Sequence, residues 1–227
     1  KIKKIIIDSR DTSNLLISDE ILNYYDHVIK REKDKSIVHN KYISTMIPCS
    51  LVKYKISKNN EKIKWNKIGK SIPNQNFKYD IFFWGKATSL KRIELMNFLK
   101  TKDLNLFIPD NNIKIPHKLF LNNIYDSAIN LALPGYGEFT YRHLEILANC
   151  SFMMCDKSIN NIDLPIPLKE GEHFVAFDGK DDLFDKIKFY LVKEDLRSAI
   201  SLNGRQLLEK YYSPKKHGRD VLNKIFN

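Results

Sequence analysis

Tyr79-Asp80-Ile81-Phe82-Phe83-Trp84-Gly85-Lys86-Ala87-Thr88-Ser89 packs a strand, a glycine stop and a helix start into one short stretch. The run 79–84 is apolar and aromatic, as a buried strand requires, and Gly85 ends it. Thr88 or Ser89 then offers an N-cap to a helix carrying Leu90, Ile93, Met96 and Leu99. Downstream the same alternation continues. Strands are expected at 104–108, at 129–133 (closed by Pro134-Gly135-Tyr136-Gly137), at 151–155 and at 173–177. Helices are expected at 138–149, 181–192 and 194–211, with a last one opened by Ser213-Pro214. Upstream, 3–8, 26–30 and 43–47 read as short strands, and Leu15, Ile17, Ile21 and Leu22 form the apolar set of a helical stretch. Residues 57–76 turn polar, rich in Lys and Asn, and read as a linker or surface excursion. The alternation predicts an α/β fold, Rossmann-type parallel sheets with helices on both faces. It divides the chain into a partial N-terminal α/β segment (1–76), a ligand-binding α/β domain (77–212) and a C-terminal helix (213–227).

The 227 residues are 43% hydrophobic and 29% charged, a globular composition. No apolar run approaches the length that spans a bilayer. The apolar run at residues 5–7 is too short for a signal peptide, and the missing initiator Met leads us to expect further chain upstream. Three cysteines, Cys49, Cys150 and Cys155, do not make a disulfide framework and fit a reducing cytosol. The formal charge is +11, yet only seven of the 38 basic residues are Arg. The rest are Lys spread along an Ile- and Asn-rich chain, as an AT-rich genome produces. They are not interleaved with aromatics as a nucleic-acid groove requires, so no nucleic-acid partner is expected. Scarce arginine makes each one worth a question about what it holds.

Ligands of open parallel sheets bind off the carboxyl ends of the strands. Three such ends carry special residues. At Gly85-Lys86-Ala87-Thr88, glycine lets backbone amides approach an anion, and Lys86 and Arg92 supply charge; a plain tight turn is the competing reading. At Gly135-Tyr136-Gly137-Glu138, a helix beginning at 138 places Glu138, Arg142 and Glu145 on one face, with Tyr141, Leu144, Leu147 and Ala148 toward the core. That row is either a solvated ion-pair ladder or one wall of a pocket, Arg142 for phosphate and Glu145 for hydroxyls. At Asp178-Gly179-Lys180-Asp181-Asp182, helix capping by Asp181 accounts for the residues more simply than a calcium loop. The six histidines and three cysteines lack zinc spacing, so no metal site is expected.

The run 79–85, then Arg92, then Arg142-His143-Leu144-Glu145 with Ala148-Asn149-Cys150 behind it, resembles the C-terminal half of GT-B glycosyltransferases. So does Glu170-Gly171-Glu172-His173-Phe174-Val175-Ala176-Phe177, and the likeness is to the family-one group of spore-maturation type. Residues 5–11 through Lys30-Arg31-Glu32 are similar to the end of the N-terminal half, which is here short or truncated. The resemblance implies a nucleotide-diphosphate sugar as donor, a hydroxyl of a glycan or lipid-linked acceptor, and no required cofactor or metal. It places Glu145 on the ribose, Arg142 on the diphosphate, and Gly85, Lys86 and Arg92 around the phosphates. Gly135, Tyr136, Gly137 and Glu138 would face the sugar, and 172–177 would flank the base. Glu138 and Asp11 are the catalytic candidates; an inverting reaction would draw its base from Asp8, Asp11 or His27. Related retaining enzymes carry two glutamates with seven residues between them, whereas Glu138 and Glu145 have six. The implied setting is cell-surface polysaccharide synthesis in the cytoplasm, at the inner face of the membrane. The alternative is a non-catalytic basic α/β protein that binds anionic polymers or membrane surface.

Overall fold

A strand whose every residue is buried must be covered on both faces, and Ser127–Ala132 is such a strand. It is the centre of the computed structural model, which describes residues 2–10, 13, 16–45, 77–86, 88–108, 115–211 and 214–227. The N-terminal segment runs β1 (Ile5–Asp8), α1 (Asp19–Leu22), β2 (His27–Arg31), β3 (Lys33–Asp34) and β4 (Tyr42–Thr45). Then follow β5 (Tyr79–Phe82), α2 (Leu90–Lys100), β6 (Leu106–Phe107), α3 (His117–Tyr125), β7 (Ser127–Ala132), α4 (Tyr141–Ala148) and β8 (Met153–Asp156). A 3-10 turn leads into β9 (Ile162–Asp163), β10 (Val175–Phe177), α5 (Gly179–Leu191), α6 (Glu194–Tyr211) and α7 (Pro214–Phe226).

Two parallel sheets result. The first has the order β1-β2-β4, the second β10-β8-β7-β5-β6. Counted within the second sheet, that is the order 2-1-3-4-5, which reverses between its first and third strands, β5 and β7. Side chains alternate across it. Ile81, Phe83, Ile129, Leu131 and Leu133 pack with α2 and α5, through Leu95, Leu99, Leu183 and Ile187. Phe82, Ala132, Met153 and Cys155 pack on the other face with α3, α4 and α6, through Phe120, Leu147 and Leu208. The fold is the doubly wound arrangement that the alternation predicts.

Several local expectations are corrected. Ile7 is 71% exposed, so β1 is an edge strand with an open side, not a buried strand. The N-terminal helix shrinks to one turn, with Leu22 buried and Ile21 exposed; Leu15 lies outside the described residues, as do Ile47 and the expected linker at 57–76. In α2 the inward face is Arg92, Leu95, Met96 and Leu99, while Leu90 is exposed, because the helix is rotated to bring Arg92 under the sheet. Helix α3 was not anticipated, although Phe120, Leu121 and Ile124 give it a buried face. Helix α4 begins at Tyr141, not at 138, because Thr140 caps it: the Thr140 N–H donates to His143 Nδ1 at 3.0 Å.

The two sheets are tied by a small antiparallel ladder, Lys33 opposite Asp163 and Asp34 opposite Ile162. The Lys35 N–H adds a bond to the Asn161 carbonyl at 2.8 Å. Helix α7 returns to the first sheet, where His217 Nε2 lies 2.7 Å from Thr45 Oγ1.

Gly204 of α6 sets how closely that helix approaches the second sheet. A Cβ there would stand 2.6 Å from Leu147 Cδ2 and 3.0 Å from the His173 carbonyl oxygen. Gly204→Ala gains helix propensity but must push two elements apart, so it is expected to lower stability by about 2 kcal/mol, read as a lower urea midpoint at unchanged slope.

Candidate functional site

Because β5 and β7 send their following helices to opposite faces, a crevice opens between their carboxyl ends. The structure has a cleft of about 330 Å³ there, walled by the turn after β5 and the turn after β7. Arg92 clamps the two turns. Its Nη1 donates to the Lys86 carbonyl at 2.5 Å and its Nη2 to the Leu133 carbonyl at 2.8 Å, while the guanidinium lies over Phe83. The glycines make room for it: a Cβ at Gly85 would lie 3.2 Å from the Phe83 ring, and one at Gly135 would lie 3.4 Å from Arg92 Nη2. Arg92 therefore lines the cleft while both terminal nitrogens hold backbone carbonyls. The phosphate-fork role expected of it gives way to a positioning role. Lys86 is exposed beside the cleft, and it is the carbonyl of this residue that the clamp uses.

Helix α4 supplies the second wall. Arg142 Nη2 donates to the Trp84 carbonyl at 2.6 Å, its Nη1 pairs with Glu145 Oε2 at 2.8 Å, and its plane lies 4.1 Å from the centre of the Phe120 ring. Arg142, Glu145 and Gly85 thus line one cavity. Tyr136 is 76% exposed at the rim, between Gly135 and the buried Gly137, whose carbonyl accepts from the Gly135 N–H at 2.9 Å. Thr88 brings a buried hydroxyl that has no hydrogen-bond partner among the described residues. Tyr141 is exposed, contrary to the expected core stripe, and His143 takes the buried place instead. His143 stacks on Phe139, and burial holds its imidazole neutral, down at about 3.

Glu138 does not share the Arg142 face, because it precedes the cap. Its Oε1 accepts from Ser13 Oγ at 3.1 Å, so it joins the second sheet's loop to the N-terminal segment. Asp11 lies outside the described residues. Burial pulls the Asp8 carboxyl upward, but bonds from Arg10 and from the wholly buried Lys30 outweigh it and hold it at about 2, too acidic to take a proton near neutrality. His27 sits at the entering end of β2, away from the cleft. Of the run expected to flank a base, 174–177 is core, and Glu172 and His173 line a separate cavity at the amino end of β10. At the start of α5 it is Asp182, not Asp181, that accepts from the Asp178 N–H, at 2.7 Å. Among the described residues no group of three His, Cys, Asp or Glu could hold a metal.

Glu32 was missed. It follows β2 directly, lines the cleft from the N-terminal side and is 1% exposed. Its backbone is left-handed, with φ 56°, a conformation that glutamate rarely adopts. Its Oε2 accepts from the Phe139 N–H at 3.3 Å, and Arg31 Nε stands 3.5 Å from Oε1. Burial pushes the carboxyl up to about 7, with Arg31 and the Phe139 amide opposing and Glu138 reinforcing. The signal in the sequence was the charged triplet Lys30-Arg31-Glu32 at the carboxyl end of an apolar strand.

Unfolded, Glu32 titrates near 4.5; folded, near 7, so its favourable contribution is complete below 4.5 and is lost as pH rises to 7. Glu32→Gln is neutral throughout. Its urea midpoint is expected to match wild type near pH 4 and to exceed it at pH 8.

The profile of the family described as "Glycosyl transferase-like" matches residues 56–223. No curated protein matches the chain by sequence. Among solved structures, a point mutant of S. aureus TarM in complex with fondaparinux, alpha-GlcNAc-glycerol and UDP superposes with a TM-score of 0.62 at 11% identity, over 99% of this chain and 51% of that one. A glycosyltransferase from Rickettsia africae gives 0.60 at 12% identity, over 96% of this chain and 69% of that one. The T4 phage BGT in complex with its UDP-glucose substrate gives 0.50 at 13% identity, over 91% and 84%. These likenesses establish a GT-B fold, and the chain spans about half the length of TarM.

Proposed function

The chain belongs to the glycosyl transferase-like family, and we propose that it transfers a sugar from a nucleotide-diphosphate sugar to a hydroxyl of a glycan or lipid-linked acceptor. One observation carries this reading. At the point where the sheet order reverses, Arg142, Glu145, two glycine turns and the amino end of α4 converge on one cleft. A helix N-terminus and a guanidinium attract a diphosphate, and a carboxylate at the far side suits ribose hydroxyls. The diphosphate leaves with negative charge, which Arg142 and the α4 terminus would stabilise as it forms. Protein charge fills the part a metal would play, so activity should survive EDTA. The exposed Tyr136 would cover the sugar, while Glu138, held by Ser13 of the N-terminal segment, stands outside the residues that line the cleft. The Lys-rich surface supports peripheral contact with anionic membrane at the cytoplasmic face.

Two of the similar structures hold UDP or UDP-glucose, so UDP leads the test. Melting is measured with UDP, GDP, CMP and ADP. One of them is expected to raise the transition selectively, by the equivalent of about 2.7 kcal/mol at a hundredfold excess over Kd. Arg142→Ala and Glu145→Ala should abolish that rise. Arg142→Ala should also melt slightly lower by itself, since it loses the Trp84 bond and the Phe120 contact. Indifference to all four nucleotides, with salt-steep binding to an anionic polymer, would refute the reading and favour a non-catalytic protein.

A further inference from the structure

We propose that Glu32 is the residue that takes the proton from the acceptor hydroxyl, with Glu138 as the neighbouring carboxylate that tunes it. This rests on the transfer reading above and goes beyond it by assigning the base.

Elimination leads there first. Among the described residues, two carboxyls line the cleft, Glu32 and Glu145. Glu145 is bound to Arg142 at 2.8 Å on the wall assigned to the nucleotide. Asp8 is locked by Arg10 and Lys30, and Glu138 is engaged by Ser13. Glu32 enters from the opposite wall, and its contacts are longer: 3.3 Å from the Phe139 amide and 3.5 Å from Arg31 Nε. An acceptor bound between the N-terminal segment and the nucleotide-binding wall would meet Glu32, the cleft carboxyl that is not paired with Arg142.

Its surroundings explain why it can take a proton near neutrality. From its own segment it faces Arg31 and, more weakly, Lys30, whose ammonium is committed to Asp8. From the loop after β7 it faces the Phe139 amide and Glu138, one of whose oxygens is buried without a hydrogen-bond partner among the described residues. Across the cleft stands the Arg142–Glu145 pair, and behind Phe139 the neutral His143. Burial and Glu138 raise the carboxyl; Arg31, Lys30 and the amide restrain it at about 7, near the optimum for a general base. In the step, the acceptor O–H bond breaks and its proton passes to the Glu32 carboxylate. The oxygen bonds to the anomeric carbon while the carbon–oxygen bond to the diphosphate breaks, and that electron pair departs with the nucleotide.

Two measurements decide it. Carboxyl-carbon NMR of protein labelled at Glu Cδ should show one resonance titrating near pH 7 that is absent in Glu32→Gln and moves to lower pH in Glu138→Gln. Hydrolysis of UDP-glucose or UDP-N-acetylglucosamine, with water as acceptor, should fall about 100-fold or more in Glu32→Gln and recover in part in Glu32→Asp. In wild type the rate should rise with pH to a plateau above about 7, and the rising limb should move down in Glu138→Gln. Gln keeps the bond to Phe139, so a residue needed only for structure would tolerate it. Hydrolysis by Glu32→Gln within threefold of wild type, with the nucleotide melting shift retained, overturns the assignment and leaves the transfer reading standing. So does the absence of a Glu32-dependent titration near neutrality. Loss of the nucleotide shift from wild type instead removes the transfer reading itself.

Discussion

The guanidinium of Arg92 holds the two turns that make the cleft. Both turns end neighbouring strands at the place where the sheet order reverses, and the helices that follow them leave to opposite faces, so the turns diverge over the crevice. Two carbonyls, those of Lys86 and Leu133, converge on one planar fork, and the Lys86 carbonyl also accepts from the Thr88 N–H at 2.9 Å. A lysine offers a single point charge and could not span them with the same directionality. Gly85 and Gly135 matter for the same reason: side chains there would crowd the fork. With the turns set, Trp84 presents its carbonyl to Arg142, and α4 is docked by a second arginine on a second turn carbonyl. The scarcity of arginine in this chain proves informative. Two of its seven are consumed in building one crevice.

The architecture was readable because its signals are local and strong. Apolar runs, several ended by glycine or proline, mark the parallel strands, and the helix expected at 194–211 is observed as α6 with those bounds. Boundaries failed where side chains override spacing. Helix α4 begins at a Thr140–His143 cap that the apolar pattern does not record, and that displacement moved Glu138 off the helix. The face of α2 was misjudged because a buried arginine counts as polar in any hydrophobic pattern. Helical spacing placed Arg142 and Glu145 on one face, and the structure sets that pair along the cleft. Glu32 was not, since its importance depends on a contact with Phe139, 107 residues away.

Charge in the cleft is arranged by wall. The donor-side wall pairs its ions, Arg142 with Glu145, so each partner is held in place before any ligand arrives. On the N-terminal side one carboxyl, Glu32, lines the cleft with longer contacts, and this contrast is the kind that separates acids from bases in one pocket. The N-terminal segment contributes to the cleft through a few long-range contacts: Ser13 with Glu138, Glu32 with Phe139, and the short ladder at Lys33 and Asp34. Sheet pairing and cleft assembly are thus coupled through neighbouring residues of the same loop.

The left-handed backbone at Glu32 sets stability and chemistry against each other at a single codon. Glycine would relax that turn at no steric penalty and asparagine at a smaller one than glutamate, and neutral drift in a gene under selection for folding alone would favour either. Persistence of glutamate there in distant relatives would then be a record of selection on the carboxyl group, written in a place where the backbone prefers something else.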